Sequence, residues 1–181
     1  NQIKEIYNQA LTDGNSYDWL DFLSNQIGGR LSGSLNAERA VKWGQKELKA
    51  LDLDRVYLED VMVPKWVRGT FEYASIITGP GMSINVPVCA LGGSISTPSA
   101  GLRAQVVEVK NFKELEALGK ESIKGKFVFY NRSMPANLVD TFKSYRKTVD
   151  QRSDGAKMAS LMGAVGVIIR SINLRLDDYP H

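Results

Sequence analysis

The stretch DGAKMASLMGAVGVII, residues 154–169, decides the fold class of this chain of 181 residues. Asp154 to Met162 reads as a helix, and Gly163-Ala164 leads directly into the apolar run Val165 to Ile169. A second short apolar run, Lys126 to Tyr130, lies upstream. Because strands covered on both faces are short and continuously apolar, we expect the two runs to form a parallel pair with a right-handed crossover.

The helix between these strands carries small residues at helical spacing. Ala156, Ala159 and Gly163 are predicted to form the face that lets the helix approach the sheet. Upstream, Ala104 to Val109 is predicted to be a strand and Phe112 to Leu118 a short helix. Residues 131–153, of mixed charge, are predicted to be a loop.

Helical periodicity dominates the first fifty residues. The first helix is predicted to end at Asp13-Gly14, and the second to be capped by Ser16 and broken by Gly28-Gly29. A third helix is predicted to begin near Ser34 or Asn36.

The hydrophobic period then changes to two. Strands are predicted at Val56 to Val63, with a bulge near Glu59-Asp60, at Phe71 to Thr78, and at Val86 to Leu91. The small-residue stretch from Gly92 to Ser99 is the best candidate for a boundary. The sequence therefore predicts a mixed α/β fold with two domains, residues 1–95 and 96–181.

Composition narrows the classes of partner. The chain has 23 Lys and Arg against 20 Asp and Glu, a net charge of +3 that is too balanced to indicate nucleic acid or an anionic membrane. No apolar run approaches the roughly 20 residues that a membrane span needs. The single cysteine, Cys89, lies between Val88 and Ala90 and is predicted to be a small buried hydrophobic residue.

The glycine-rich loop from Gly28 to Ser34 superficially resembles a phosphate cradle. A helix rather than a strand precedes it, and it lacks the lysine of a phosphate-binding loop. A tight connection between helices is the better interpretation, with Ser34 capping the next helix. Arg30 is predicted to form an ion pair inside the protein; contact with a carboxylate of a neighbouring domain, or with solvent, is the alternative.

Two further candidate residues lie in the segment from Val63 to Gly69. Trp66 and Arg68 could form the rim of a peptide site. The favoured interpretation is that Trp66 packs against an adjoining part of the protein and that Arg68 pairs nearby.

Histidine occurs once, as the last residue, His181. A Ser-His-Asp or Cys-His catalytic arrangement is therefore not expected. The adjacent acidic pairs, Glu59-Asp60 and Asp177-Asp178, are predicted to be solvated rather than to act as an acid/base couple. No catalytic residue and no metal ligand can be assigned in the sequence.

Two sets of residues carry a family resemblance. The first set comprises residues 27–34, 37–40, Leu48, Leu51 and 61–69, and the second comprises residues 125–130, 157–159 and 163–169. Through the first set, the segment from Asp21 to Gly69 resembles the start of the zinc exopeptidases of the carboxypeptidase Q and aminopeptidase type, peptidase family M28. Through the second set, the second half of the chain resembles a protease-associated domain.

The resemblance implies a partial chain, composed of the N-terminal helices and first strands of an incomplete peptidase α/β domain and most of an inserted β-rich protease-associated domain. It implies two zinc ions, a peptide substrate and an aminopeptidase or carboxypeptidase activity for the full-length protein. Family members hold the zinc ions in a later part that includes a His-x-Asp motif. This chain lacks that motif, so the resemblance implies no catalytic or metal-binding residue here.

Three functions follow as alternatives. The chain is the scaffold and substrate lid of a zinc exopeptidase, a non-catalytic protease-associated module that binds peptides or proteins, or part of a family member that has lost its ligands. The resemblance also implies export to the periplasm or the extracellular space. Apolar surface left uncovered by a missing sheet should favour self-association through the N-terminal part.

Overall fold

The structure is a computed structural model that describes residues 2–175, 177 and 179. The α-helices, in chain order, are α1 (Gln2–Thr12), α2 (Ser16–Asp21), α3 (Leu35–Lys49), α4 (Phe112–Ile123), α5 (Thr141–Arg146), α6 (Asp150–Ser153) and α7 (Gly155–Leu161). A π-helix, Phe22–Ile27, continues α2. The strands are β1 (Ala74–Gly79), β2 (Met82–Val86), β3 (Val106–Val109), β4 (Phe127–Tyr130) and β5 (Gly166–Ile169). This mixture confirms the predicted mixed α/β class.

The chain forms two compact units, residues 1–69 and 70–181. The first unit contains α1 to α3, and the second contains all five strands and α4 to α7. The β1–β2 hairpin therefore belongs to the second unit by its contacts, whereas the sequence-based division placed these residues in the first domain. The domain boundary at residues 95 and 96 stays a prediction.

The helices of the first unit largely follow the sequence. The Ser34 hydroxyl accepts a hydrogen bond from the N–H of Ala37 at 3.1 Å and caps α3, as predicted. The prediction that Ser16 caps α2 is wrong. The helix begins at Ser16, and the preceding Asn15 has helical backbone angles (φ −81°, ψ 0°) without a side-chain cap. A side-chain cap requires an extended backbone at that position, which Asn15 lacks.

The second helix ends in a π-turn that the sequence did not indicate. The N–H of Gly28 donates to the carbonyl of Leu23, five residues earlier, at 3.1 Å. Gly28 then leaves the helix with φ at 75°, a conformation that disfavours side chains with a Cβ. The predicted glycine break is confirmed, and the wider π-turn changes the direction of the side chains just before it.

Two predicted strands are wrong. Residues 56–63 form no strand, although their side chains alternate in polarity. Val86 ends β2, and residues 87–91 do not pair. In the observed hairpin, Ala74 lies opposite Val86 and Gly79 opposite Met82, with Pro80-Gly81 at the turn. A strand needs a neighbouring backbone to accept and donate its hydrogen bonds, and alternating polarity alone does not supply one.

The sheet of the second unit matches the central prediction. Its order is β3–β4–β5, and both pairs are parallel. Phe127 lies opposite Gly166 and Tyr130 opposite Ile169. The pairing of residues 127–130 with residues 165–169 is therefore confirmed. The sheet is less covered than predicted: Val128 and Tyr130 are fully buried, while Phe127 and Phe129 are half-buried and Ile168 is exposed.

The helix α7 packs through a small-residue face that differs in part from the predicted one. Ala159 is 0% exposed and belongs to the core, as expected. Ala156 is exposed, and Gly155 takes its place on the buried side. A Cβ on Gly155 would lie 2.9 Å from Cε2 of Tyr130, so the ring of Tyr130 occupies the space that a side chain would need.

Tyr130 joins the sheet to this helix. Its hydroxyl donates to the carbonyl of Gly155 at 3.1 Å, and its ring packs edge-on against Phe112 with centroids 5.7 Å apart. Burial raises the pKa of Tyr130 to about 12, so the hydroxyl keeps its proton and donates at neutral pH. The remaining core residues, all buried, are Val109, Leu115, Ile123, Val128 and Ala159.

Residues 131–153 are not the loop that their mixed charge suggested. They contain α5 and α6, and Asp140 caps α5 by accepting from the N–H of Lys143 at 3.1 Å. Both helices are too short to be stable alone. They are held by the buried polar residues Ser144, Thr148 and Gln151, a pattern without the apolar period that identifies helices in a sequence.

Two smaller predictions are also corrected. Helix α4 extends to Ile123 rather than ending at Leu118, and it passes through a kink at Gly119, where φ is 71°. Cys89 is exposed rather than buried, because it follows β2 in a segment that contributes nothing to the core.

Candidate functional site

Arg30 lies in the loop after the π-helix. Its Nη1 donates to the carbonyl of Gly28 at 2.8 Å and also to the carbonyl of Leu23. In the described part of the chain, these hydrogen-bond partners are backbone carbonyls at the end of a helix rather than the predicted carboxylate. The guanidinium adds a second hydrogen bond to the Leu23 carbonyl, which already accepts from the N–H of Gly28, and it ties the loop to the end of the helix. The contact between Arg30 and another domain stays a prediction.

Trp66 and Arg68 lie together. Cζ of Arg68 is 5.0 Å from the centroid of the Trp66 ring, which is half-buried. An exposed guanidinium–indole contact of this kind contributes about 0.5–1 kcal/mol. Arg68 is predicted to pair nearby, and in the structure its guanidinium lies over the indole ring of Trp66. Whether the two residues form a substrate rim stays a prediction.

The structure brings together two segments that the sequence only showed separately. A Cβ on Gly33 would lie 2.9 Å from Cβ of Lys65, and Gly33 has φ at 70°. The glycine-rich loop therefore packs directly against the segment that carries Trp66. Glycine is required here both by the backbone conformation and by the close approach.

The second unit has a polar bridge at the carboxyl ends of its parallel strands. Asn131 follows β4; its side-chain amide donates to Glu108 of β3 at 2.9 Å and accepts from Arg170, which follows β5, at 2.9 Å. Ligands of open parallel sheets bind at this edge. The bridge spans all three strands. The sequence did not predict it, although polar residues that directly follow predicted strands are the signal that could have indicated it.

An ion pair lies beside this bridge. Arg132 bonds to Asp150 of α6, and its carbonyl accepts from Nε2 of Gln151 at 3.0 Å. Burial disfavours the charged guanidinium and lowers the pKa of Arg132 from its usual value. The contacts tie the segment after β4 to α6.

A groove of about 540 Å³ opens near these residues. Its walls combine apolar side chains of α5 with residues that follow β4 and β5. They include Met134, Phe142, Tyr145, Ile172 and Leu174. Phe142 and Leu174 are largely exposed, so the groove offers apolar surface.

The described residues do not fit a metal centre. Residues 2–175, 177 and 179 contain no group of three or more His, Cys, Asp or Glu side chains that could hold a metal ion. A catalytic zinc ion needs about three protein ligands. The single histidine, His181, and Asp178 of the acidic pair Asp177-Asp178 lie outside the described residues. Among the described helices, none is long and apolar enough to cross a membrane.

Sequence relatives cover most of this chain. Carboxypeptidase Q of Xenopus laevis is 41% identical over 157 residues, which are 87% of this chain and 31% of that protein. Carboxypeptidase Q of Homo sapiens is 35% identical over 167 residues, 92% of this chain and 32% of that protein. No protein-family model matches the chain. The chain spans about a third of the length of these relatives.

Solved structures agree with these relatives. The crystal structure of a Peptidase M28 precursor from Shewanella amazonensis superposes with a TM-score of 0.84 at 37% identity and covers 96% of this chain and 38% of that one. A zinc aminopeptidase from Bacillus subtilis superposes with a TM-score of 0.53 at 24% identity, covering 86% of this chain and 32% of that one, and shows the fold alone. The chain is therefore a homologue of carboxypeptidase Q and of the M28 peptidases.

Proposed function

We propose that this chain is one part of a zinc-dependent exopeptidase that hydrolyses peptides, and that it contributes scaffold and a substrate lid rather than catalytic residues. The observation that carries the proposal is identity of 34–41% with carboxypeptidase Q, spread over 87–92% of this chain. Similarity of this extent supports a shared fold and a shared activity for the complete proteins. The two zinc ions and the choice between aminopeptidase and carboxypeptidase activity belong to the proposal.

About two thirds of each relative lies outside the matched region, and we place the zinc ligands there. In this chain, Arg30 holds the end of the π-helix, and the Gly33 loop positions the Trp66 segment. These contacts organise the first unit and need no metal.

The purified 181 residues should not hydrolyse aminoacyl or dipeptide substrates, and they should retain no stoichiometric zinc after dialysis. A longer protein that contains this chain should cleave such substrates and lose activity to a chelator. Substrate hydrolysis with and without chelator, together with metal analysis, tests both statements. Chelator-sensitive hydrolysis by the 181 residues alone would overturn the proposed placement of the active site.

The second candidate function is a non-catalytic protease-associated module that binds peptides or proteins. The groove beside α5 favours it, because its apolar walls include the exposed Phe142. The same enzymatic comparison distinguishes the two functions. A longer protein without chelator-sensitive hydrolysis, combined with peptide binding by these 181 residues, would favour the module. We further propose that the protein is exported, in keeping with the family resemblance.

We also propose that this chain self-associates through its N-terminal part. Helix α1 has no buried residue, and its apolar face leaves Ile3 81% and Leu11 70% exposed. An uncovered apolar face of this kind favours association.

Ile6→Glu should shift the 181-residue chain toward the monomer in sedimentation velocity, because it places a charge in the apolar face of α1. Asn8→Glu adds the same charge on the opposite side of this helix and should leave the distribution unchanged. A parent chain that stays monomeric at high concentration, with its helices intact by circular dichroism, would contradict the proposed association.

A further inference from the structure

A cleft of about 390 Å³ lies between the α2–π-helix segment and α3, within the first unit. We call it the α2–α3 cleft and define it by six of its lining residues, Asp18, Trp19, Phe22, Trp43, Lys46 and Glu47. Three of these are aromatic and three are charged. A helix face that packs into a core is apolar, whereas half of these six residues are charged.

Two of the three aromatic side chains form a stacked pair. The rings of Phe22 and Trp43 stack with centroids 5.0 Å apart and an interplanar angle of 17°. Phe22 begins the π-helix, and Trp19 lies one turn earlier in α2. Indole and phenyl faces carry negative electrostatic potential and attract cations within about 6 Å of the ring centre.

The charged residues add to this preference. Trp43, Lys46 and Glu47 are spaced three and four residues apart, so they share one face of α3. Asp18 contributes a second carboxylate from α2. Two carboxylates against one ammonium leave the lining with a net charge of −1, which favours a positively charged occupant.

We propose that the α2–α3 cleft binds an organic cation, an alkylammonium or quaternary ammonium group, against the rings of Trp19, Phe22 and Trp43. Asp18 and Glu47 supply the opposing charge, and the ammonium group of Lys46 in the lining opposes binding. The cleft is large enough for such a group, and the proposal is independent of the peptidase function. Either a free small molecule or a lysine side chain of a partner offers this chemistry.

Titration of the 181-residue chain with tetramethylammonium chloride tests the site, with sodium chloride keeping the ionic strength constant. The side-chain indole NH signals of Trp19 and Trp43 should shift in a two-dimensional NMR spectrum, while that of Trp66 should not. n-Butylammonium, a mimic of the lysine side chain, should shift the same two signals if a side chain is the natural ligand. The neutral analogue tert-butanol should have little effect, because it lacks the charge that the rings attract.

Charge variants give the second part of the test. Glu47→Gln, which keeps the shape of the side chain, should weaken tetramethylammonium binding about three- to fivefold. Lys46→Met should strengthen it by a similar factor, since it removes a like charge. Equal shifts at Trp66, equal shifts with tert-butanol, or affinities unchanged by both substitutions would overturn the proposal.

Discussion

Ala159→Glu should destabilise the second unit by several kcal/mol. Ala159 is 0% exposed and lies in the core with Leu115, Val128 and Tyr130. A glutamate there must bury its carboxylate without a partner or push α7 away from the sheet. The free energy of unfolding of a domain is typically about 5–15 kcal/mol. A loss of several kcal/mol should therefore leave much of the unit unfolded near the melting temperature of the parent chain.

The chain provides a matched control and a reporter for the untouched unit. Ala156→Glu places the same side chain on the exposed side of the same helix and should change stability by less than about 0.5 kcal/mol. All three tryptophans lie in residues 1–69, so tryptophan fluorescence follows the first unit, while exchange of the amides of β4 and β5 follows the second. Equal effects of the two glutamates would show that the register of α7 is wrong.

Tyr130→Ala should cost the second unit about 3–5 kcal/mol. The substitution removes a fully buried ring that contacts Phe112 and fills the space beside Gly155. It also leaves the carbonyl of Gly155 without the hydroxyl that donates to it at 3.1 Å. The resulting cavity lies between the sheet and α7, where neighbouring residues can collapse only in part.

Tyr130→Phe separates the two contributions, because it keeps the ring and removes only the hydroxyl. We expect a loss of about 1 kcal/mol, the usual net value of one hydrogen bond. Urea unfolding followed by far-ultraviolet circular dichroism measures both variants. If alanine costs no more than phenylalanine at this position, the packing role of the ring is wrong.

Parts of the fold followed from the sequence because local signals agreed with one another. Residues 154–169 combine helical spacing, a glycine at position 163 and a short apolar run. The structure has the helix, a turn at Gly163 with φ at 79°, and the strand. Ser34 caps α3 by the hydrogen bond expected of a serine at that position. The resemblance to the M28 peptidases, carried in part by residues 27–34, is confirmed by the relatives, whereas the protease-associated domain stays a prediction.

The candidate site was less accessible to sequence reasoning. Arg30 bonds to carbonyls at the end of a helix whose π-turn has no sequence signature. Gly33 meets Lys65 across 32 positions of the chain, and Asn131 joins Glu108 to Arg170 across three strands. Single side chains carry no signal for partners that distant, because each such contact exists only after the strands and helices have been brought together.

The sequence by itself determined the mixed α/β class, the helical start, the parallel pairing of β4 with β5 and the relation to the M28 peptidases. Only the tertiary structure decided that residues 56–63 form no strand, that residues 141–153 contain two helices, and that Gly155 rather than Ala156 faces Tyr130. The physical reason is the same in each case. A strand needs a partner backbone, a short helix needs packing, and the buried side of a helix is selected by the ring against which it packs.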